Sequence, residues 1–256
     1  MNPGKQFNKL VSIVEKLRGP SGCPWDKEQT HASLLPYLLE ETYEVIETVD
    51  EENWVTLAEE VGDLFLHAVF QAKIAEENNE FDLIDVLDGI SKKLVRRHPH
   101  VFGDKKANGA FQAKQNWEAA KQKEKGRESR LDGVPNTLPA LVRAQRIQQK
   151  ASYVGFDWKE AQPVWDKVNE ELEELESAVS DNDSQHIKEE MGDLLFALVN
   201  LCRFLNLSAE EVLRKANKKF IHRFRQVEKE LLVQGKSIEE ASLEEMNNIW
   251  NRVKKD

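Results

Sequence analysis

The sequence predicts an all-α protein. Glycine and proline are scarce, with 12 and 8 among 256 residues, and aromatic residues make up only 8%. These proportions are typical of helical proteins rather than of β-sandwiches or barrels. No segment shows the alternating pattern of a half-buried strand, whereas apolar residues recur at helical spacing along the chain. The predicted helices are residues 5–18, 33–49, 53–78, 82–97, 111–125, 137–151, 163–180, 185–205, 208–233 and 242–254.

Helix-breaking residues separate these segments. Residues 19–30 (GPSGCPWDKEQT) and 103–110 (GDKKANGA) contain the Gly, Pro and Ser that are typical of loops, and both are predicted loops. Residues 126–136 (GRESRLDGVPN) are polar, contain Gly and Pro, and form the best candidate for a linker. The sequence therefore predicts two helical domains, residues 1–125 and residues 137–256.

Charge and composition exclude several classes of protein. The net charge is −10, whereas a general nucleic-acid binder shows a basic footprint, so no DNA or RNA polymer is expected as a partner. The two cysteines, Cys23 and Cys202, predict neither a disulfide framework nor a zinc site. The longest nearly unbroken apolar run, LLFALVNLC, is far shorter than the ~20 residues of a membrane span. The N-terminus lacks an apolar signal core, and we expect a cytoplasmic protein without membrane contact.

Four acidic residues recur at a fixed spacing of 130 residues. Residues 59–70 (EEVGDLFLHAVF) resemble residues 189–200 (EEMGDLLFALVN), and the EExxE pattern at 40–44 returns at 170–174. Self-similarity of this kind indicates an internal duplication. The matched pairs are Glu41 with Glu171, Glu44 with Glu174, Glu60 with Glu190, and Asp63 with Asp193.

Basic and aromatic segments recur as well, at other offsets. KKLVRR at 92–97 resembles KKFIHR at 218–223, and WEAAK at 117–121 resembles WNRVK at 250–254. Cations near a helix end also suit the helix dipole, which is the more common explanation for any one of them. Beside a metal site, the shared role that we expect is contact with phosphate oxygens, with the tryptophans packed in the core or stacked on a base. The pairs are Lys93 with Lys219, Arg97 with Arg223, Trp117 with Trp250, and Lys121 with Lys254.

The acidic spacing predicts a metal site. Residues three apart share a helix face, so each ExxE and ExxD pair projects two carboxylates together. Asp193 is the only charged residue between Met191 and Cys202, which predicts a helix buried on all sides. Buried paired carboxylates repel each other, and a divalent cation removes that conflict. An all-oxygen donor set favours Mg²⁺, with Mn²⁺ as a second choice, whereas a di-iron bundle would show Glu-x-x-His pairs.

Gly62 and Gly192 precede the aspartate in each repeat. Glycine inside a helix costs about 0.5–1 kcal/mol relative to alanine. We therefore expect another helix or a ligand to approach closely at both positions. His67 lies on the Asp63 face without a counterpart in the other repeat, and we interpret it as structural. A lone ExxE pair is usually a solvated face, but two pairs repeated at one spacing favour a site.

The quoted motifs resemble the MazG-type, all-α nucleoside triphosphate pyrophosphohydrolases over essentially the whole chain. The EExxE and ExxD motifs carry the resemblance, together with residues 22–30 (GCPWDKEQT), 96–102 (RRHPHVF), 138–151 (LPALVRAQRIQQKA) and 154–158 (VGFDW). The resemblance implies tandem helical domains with four-helix-bundle cores, completed by formation of a homodimer. It also implies cleavage of an NTP or dNTP to the monophosphate and pyrophosphate with Mg²⁺, and hence a role in control or cleansing of the nucleotide pool.

The resemblance also implies roles for individual residues. The implied metal ligands are Glu41, Glu44, Glu60, Asp63, Glu171, Glu174, Glu190 and Asp193. The implied nucleotide contacts are Lys219, Arg223, Trp250 and Lys254, with Lys93, Arg97, Trp117 and Lys121 as N-terminal counterparts. Glu40 or Glu170, at the head of each motif, is the candidate that takes the proton of the attacking water. We expect the C-terminal half to be the main catalyst.

Two other classes of function remain open from the residues alone. The acidic clusters would also suit a helical protein that senses nucleotide or Mg²⁺ without turnover. An oxygen-ligated di-iron oxidase is the third possibility, and its iron content and colour would reveal it.

Overall fold

The computed structural model describes residues 2–104, 106–124, 126 and 128–254. Within these ranges the chain is helical and contains no strand, which confirms the predicted all-α class. The helices are α1 Pro3–Arg18, α2 Pro24–Glu28, α3 Leu35–Asp50, α4 Trp54–Glu77, α5 Leu83–Arg97, α6 Pro99–Phe102, α7 Ala110–Glu124, α8 Ala140–Ser152, α9 Gln162–Ser180, α10 Ser184–Phe204, α11 Ala209–Val233 and α12 Leu243–Val253. A 3₁₀ turn, Ile238–Glu240, precedes α12.

The ten predicted helices are all present, but two short helices fall outside the predictions. Residues 19–30 are predicted as a loop, but they contain α2, so the prediction is wrong there. The second short helix, α6, follows α5 directly. Both short helices begin with a proline, Pro24 and Pro99, whose fixed φ is already helical. Helices of five and four residues are too short to show apolar periodicity, which is why the sequence pattern did not predict them.

Local hydrogen bonds define the ends of the longer helices. Ser208 caps α11 by accepting from the backbone N–H of Glu211 at 3.3 Å. Ser242 and Glu245 form a reciprocal capping box at the start of α12. Such caps satisfy N–H groups that have no partner inside the helix.

The chain divides into two compact units, Met1–Ala113 and Lys114–Asp256. Helix α7 begins in the first unit and continues into the second. The predicted domain boundaries, with a linker at 126–136, stay a prediction about the organisation of the sequence.

The first unit is built around the pair α3 and α4, with α1 and α5 packed on α4. Its core contains the buried side chains Val14, Leu34, Val69, Phe70 and Ile74. After α1, the chain turns so tightly that a Cβ added at Gly22 would lie 2.0 Å from the carbonyl oxygen of Leu17. Only glycine fits there, and this turn leads the chain into α2.

The second unit is built around the pair α9 and α10, which pack on each other along their length, with α8 against α10. Val164, Val168, Ala197 and Leu201 form the core between these helices. Helices α11 and α12 pack together around a separate core. That core contains Val227, Leu231, Ile249 and Val253.

No single helix among the described residues is long and apolar enough to cross a membrane. The bent pair α10 and α11, which meet at 102°, passes the same test jointly, by length and composition alone.

Candidate metal and nucleotide site

Each acidic cluster lies on two consecutive helices that are joined by three residues. The connections are residues 51–53 between α3 and α4, and 181–183 between α9 and α10. Each contains a residue in the left-handed region, Glu52 at φ 54° and Asn182 at φ 57°, which reverses the chain. Glu41 and Asp63 each lie eleven residues from Glu52, as Glu171 and Asp193 do from Asn182. The tight reversal therefore brings the EExxE carboxylates of one helix opposite the ExxD carboxylates of the next.

The N-terminal cluster contains carboxylate oxygens of Glu41, Glu60 and Asp63 within 4.8 Å of one another. Glu44 hydrogen-bonds to Glu41 and Glu60, so all four predicted ligands meet. Burial raises the pKa of Glu41 to about 7, helped by the hydrogen bond with Glu44 and the charge of Asp63. Burial and the charge of Glu44 likewise raise the pKa of Glu60. The cluster therefore concentrates negative charge, and its oxygen donors fit a hard divalent cation.

The C-terminal cluster contains carboxylate oxygens of Glu171, Glu174 and Glu190 within 4.8 Å of one another. Glu171 is buried, with 5% of its surface exposed. Burial, followed by the charge of Glu190, raises the pKa of Glu174. Asp193, the fourth predicted ligand, is not among the described carboxylates that meet within this distance, and it lines a cavity together with Glu171. The same donor chemistry is thus present in both units.

Two basic side chains, Lys167 and His186, contact the C-terminal cluster. The Lys167 ammonium lies 2.7 Å from Glu171 Oε1 and 2.6 Å from Glu170 Oε1. His186 Nε2 lies 2.9 Å from Glu190 Oε1. The residues at the corresponding N-terminal positions, 130 earlier, are Tyr37 and Thr56, and neither carries a cation. The two clusters are therefore both built from carboxylates but differ in the basic side chains around them.

The sequence pattern predicts that the helix that carries Asp193 is buried on all sides. This prediction is wrong for the single chain. Met191, Leu195 and Phe196 are exposed to 45%, 50% and 44% in the single chain. The apolar residues of α10 therefore lie on two faces. One face packs in the core, and the described part of the chain leaves the other exposed.

The predicted close approach at the two glycines is also not made within the chain. A Cβ added at Gly62 or Gly192 would meet nothing within 4 Å in the described part of the chain. Among the described residues, no neighbouring helix of the same chain accounts for either glycine. His67, in contrast, is buried with its pKa lowered by that burial, which fits the structural interpretation.

A cavity of about 620 Å³ opens beside the C-terminal cluster. Its walls come from Leu131, α8, the loop after α8, α9 and α10, and Glu171 and Asp193 lie at its acidic edge. Phe156 and Trp158 of that loop supply aromatic surface, exposed to 83% and 41%. The other walls are mainly apolar, as expected of a pocket for a small organic ligand.

Two polar contacts hold the walls of this cavity in place. Gln148 Nε2 donates to the carbonyl oxygen of Phe196 at 2.8 Å, which fixes α8 against α10. The Arg203 guanidinium donates to both carboxylate oxygens of Asp157, at 2.8 and 2.5 Å. Since Asp157 lies between the two aromatic residues of the loop, this ion pair positions both rings.

The predicted basic and aromatic contacts of the C-terminal half lie on α11 and α12. Lys219 is exposed, Arg223 is half-buried, and the ring of Trp250 lies 5.2 Å from that of Phe220. Lys254 is exposed at the end of α12. In the described part of the chain, these four residues do not line the cavity beside Glu171.

Their N-terminal counterparts fall into both units. Lys93 and Arg97 lie on α5 in the first unit, and Arg97 is buried with 5% exposed. Trp117 and Lys121 lie on α7, in the part that belongs to the second unit. The nucleotide contacts assigned to these residues stay predictions.

Sequence reasoning missed Lys167 and the cavity walls. Lys167 precedes Glu171 by four residues, a spacing that pairs side chains on a helix, so its contact was open to prediction. Phe156, Asp157 and Trp158 belong to a motif that was noted without a role. Their place beside the cluster depends on packing between α8 and α10, which no local pattern reveals.

Comparison with known proteins places this chain in a family. The model of the MazG nucleotide pyrophosphohydrolase domain matches residues 29–102 and 161–228. A Thermotoga maritima protein, nucleoside triphosphate pyrophosphohydrolase/pyrophosphatase MazG, is 48% identical over 253 residues, covering 98% of this chain and 96% of its own. The Escherichia coli K12 nucleoside triphosphate pyrophosphohydrolase is 46% identical over 256 residues, covering 98% and 97%.

A third relative matches part of the chain. The Mycobacterium tuberculosis nucleoside triphosphate pyrophosphohydrolase is 42% identical over 155 residues, covering 60% of this chain and 47% of its own. The chain belongs to the MazG nucleotide pyrophosphohydrolase family, whose domain occurs twice in it. The predicted family and class of enzyme are therefore confirmed, and each repeat carries the acidic cluster described above.

Proposed function

We propose that this chain hydrolyses nucleoside and deoxynucleoside triphosphates to the monophosphate and pyrophosphate, with Mg²⁺ or Mn²⁺ held by the acidic clusters. The observation that carries the proposal is the cavity of about 620 Å³ that ends at Glu171 and Asp193. It offers an apolar space of nucleoside size directly beside carboxylates that fit a divalent cation. The names of the full-length relatives support the same reaction.

The acidic residues would hold the metal in each unit. A divalent cation bound there neutralises phosphate charge and lowers the pKa of a bound water. In the C-terminal unit, Glu171, Glu174, Glu190 and Asp193 would fix its position. Glu170 and Glu40 are exposed at the head of their motifs, and we assign to them the acceptance of the water's proton.

The nucleoside would lie in the cavity. Phe156 and Trp158 present aromatic surface on which a base can stack, and Arg203 holds the loop that carries them. The triphosphate would then extend towards Glu171 and Asp193, because these carboxylates lie at one edge of the same space. This placement supports the C-terminal half as the main catalyst.

We also propose that the protein forms a homodimer. Helices α9 and α10 offer two members of a four-helix bundle, and apolar side chains on α10 are exposed in the single chain. A second copy would cover Met191, Leu195 and Phe196, which are open to solvent here. Since Lys219 and Trp250 do not line the cavity of their own chain, the dimer is where they would meet a nucleotide.

The proposed reaction suits a role in control or cleansing of the nucleotide pool. Both roles use the same chemistry, and both follow from hydrolysis of free triphosphates. A cytoplasmic location is part of the same proposal.

The test is metal-dependent release of pyrophosphate from a panel of NTPs and dNTPs. Wild type would be compared with Glu171→Gln/Glu174→Gln and Glu41→Gln/Glu44→Gln. Glu173→Gln/Glu176→Gln is a matched control, because both residues are exposed on α9 outside the cluster. We expect the first variant to lose at least about a hundredfold in kcat, since its metal ligands are gone, and the control to keep its activity.

The outcomes separate the remaining classes of function. Comparable losses in both cluster variants would indicate two working or coupled sites. Nucleotide and Mg²⁺ binding without pyrophosphate release would favour the sensing protein and overturn the proposal. Iron bound in stoichiometric amount would favour the oxidase instead.

A further inference from the structure

Lys167 has no basic counterpart in the N-terminal repeat, where Tyr37 stands 130 residues earlier. It lies on α9, four residues before Glu171, and its ammonium contacts Glu171 Oε1 at 2.7 Å and Glu170 Oε1 at 2.6 Å. One partner is a proposed metal ligand and the other is the proposed proton acceptor. Lys167 also lines the cavity that we assign to the nucleoside, together with Asp193. It therefore contacts one proposed ligand and the proposed proton acceptor, and it also lines the proposed substrate space.

The N-terminal cluster serves as a comparison within the same chain. Tyr37 occupies the position that corresponds to Lys167, and its ring packs 5.9 Å from Trp25. Glu41, the counterpart of Glu171, has carboxylate oxygens of Glu60 and Asp63 within 4.8 Å. Lys167 thus partly neutralises the carboxylates of the C-terminal cluster. The N-terminal cluster has no lysine at the corresponding position.

We propose that Lys167 is a built-in cation of the C-terminal cluster that moves from Glu171 to the triphosphate when metal and nucleotide bind together. This inference rests on the proposed function. A divalent cation that approaches Glu171 alone must displace an ammonium and then remain beside it, which like charges disfavour. A triphosphate supplies anionic oxygens for the displaced ammonium. When the triphosphate is bound, the ammonium would therefore no longer oppose binding of the metal. Lys167 thereby makes metal binding at this cluster depend on nucleotide.

The side chain has the freedom that this movement requires. Its exposed fraction is 37%, whereas Glu171 is exposed to 7% at the side chain. The buried carboxylate stays fixed on α9, and the flexible four-carbon stem of the lysine swings towards the cavity. The other basic side chain described at this cluster, His186, contacts Glu190, whereas Lys167 contacts Glu171.

The test measures Mn²⁺ affinity at each cluster by electron paramagnetic resonance of free Mn²⁺. Glu41→Gln/Glu44→Gln leaves the C-terminal cluster to be observed alone, and Glu171→Gln/Glu174→Gln leaves the N-terminal one. In the first background, Lys167→Met should tighten Mn²⁺ binding without nucleotide by about tenfold. A nucleoside triphosphate with a methylene bridge between its α- and β-phosphates resists cleavage there. It should increase Mn²⁺ affinity strongly with Lys167 present and far less in Lys167→Met.

Three variants complete the experiment. Lys167→Arg should keep the dependence on nucleotide, because it keeps the charge. Tyr37→Lys in the second background should weaken Mn²⁺ binding at the N-terminal cluster, since it creates the same contact there. Lys215→Met removes an ammonium with the same helical spacing, 2.6 Å from Glu211, and should change neither cluster.

The failures of the two proposals are distinguishable. Unchanged or weaker Mn²⁺ binding in Lys167→Met, while wild type still releases pyrophosphate, would overturn the role of Lys167 alone. A C-terminal cluster that binds no Mn²⁺ with or without nucleotide would overturn the metal assignment and this inference with it. Wild type that binds Mn²⁺ as expected but releases no pyrophosphate would overturn the hydrolysis and leave the lysine's coupling intact.

Discussion

The guanidinium of Arg203 holds the carboxylate of Asp157 through two hydrogen bonds, at 2.8 and 2.5 Å. Arg203 lies near the end of α10, and Asp157 lies in the loop that follows α8. The contact ties the aromatic edge of the cavity to the helix that also carries Asp193. The position of the rings of Phe156 and Trp158 therefore depends on an ion pair outside the acidic cluster.

We expect Arg203→Lys to raise the KM for nucleotide about three- to tenfold while kcat changes little. Lysine cannot reproduce the two-pronged contact with a carboxylate, so the loop loses its fixed position but the metal ligands do not. Steady-state kinetics on one nucleotide would measure the effect. Arg252→Lys is the control, because Arg252 pairs with Glu230 at 2.6 Å on the exposed surface of α11 and α12. An equal rise in KM for both variants would contradict the assignment of the loop to the nucleotide.

A second prediction concerns the ion pairs that fasten α7 to α8. Glu118 is 9% exposed and contacts Arg146 and, at 3.4 Å, the buried Lys150. We expect Glu118→Gln to lower the free energy of unfolding by about 3 kcal/mol at neutral pH, because two cations lose the carboxylate that balances their charge. Urea denaturation would measure it, with the exposed Glu128→Gln as control.

The same variant carries a pH dependence with a definite sign. Burial raises the pKa of Glu118, but the charges of Arg146, Lys150 and Lys121 outweigh it and lower the pKa below 4.5. A lowered pKa stabilises the fold above the unfolded value, and this stabilisation disappears as the pH falls through the folded value. The difference between wild type and Glu118→Gln should therefore shrink on acidification. A difference that grows at low pH would show that another group is responsible.

Two adjacent leucines on α11 provide a matched test of its core. Leu231 is 1% exposed and packs against Ile249 and Val253, whereas Leu232 is 75% exposed. Leu231→Ala should lower the free energy of unfolding by about 2–5 kcal/mol, since it leaves a cavity. Leu232→Ala should change it by less than about 0.5 kcal/mol. Denaturation followed by circular dichroism would compare them, and similar losses would contradict the packing of α11 on α12.

Glu245 should make the start of α12 sensitive to acid. Its hydrogen bond with Lys236 and those with Ser242 lower its pKa to about 2. The contribution of Glu245 to stability is therefore complete above pH 4.5 and is lost as the pH falls towards 2. Glu245→Gln should lose less stability than wild type over that range, and Glu244→Gln, outside the capping box, should resemble wild type. A carboxyl titration by NMR would test the lowered pKa directly.

The long helices could be predicted from the spacing of apolar residues, and the repeat could be predicted from the fixed offset between its acidic residues. The predicted segment 53–78 matches α4, Trp54–Glu77, since 24 residues give the apolar period many turns in which to appear. Helices α2 and α6 could not be predicted in this way, because neither is long enough to complete two turns. The acidic residues could also be predicted, because their repeated spacing is visible in the sequence. The tight reversal at Asn182 then brings them close together in the structure.

The surroundings of the site were less accessible to sequence reasoning. An apolar residue such as Leu195 shows only that a surface avoids water, and not whether the same chain covers it. The cavity arises where α8, α9 and α10 meet, and residues from five segments of sequence contribute to such a space only after folding. The effect of Lys167 on Glu171 could have been predicted from their spacing of four, yet its place in the cavity could not.

Gly62 and Gly192 have a consequence for how this protein would respond to selection. Alanine at either position would meet no atom of the described chain within 4 Å, and it would strengthen a helix by about 0.5–1 kcal/mol. A library of variants sorted for thermal resistance should therefore accumulate alanine at both positions. If the space beside each helix admits a ligand or a second copy of the chain, the same library sorted for turnover should restore glycine. Alanine in the first sort and glycine in the second would show that the two glycines are kept for activity and not for stability.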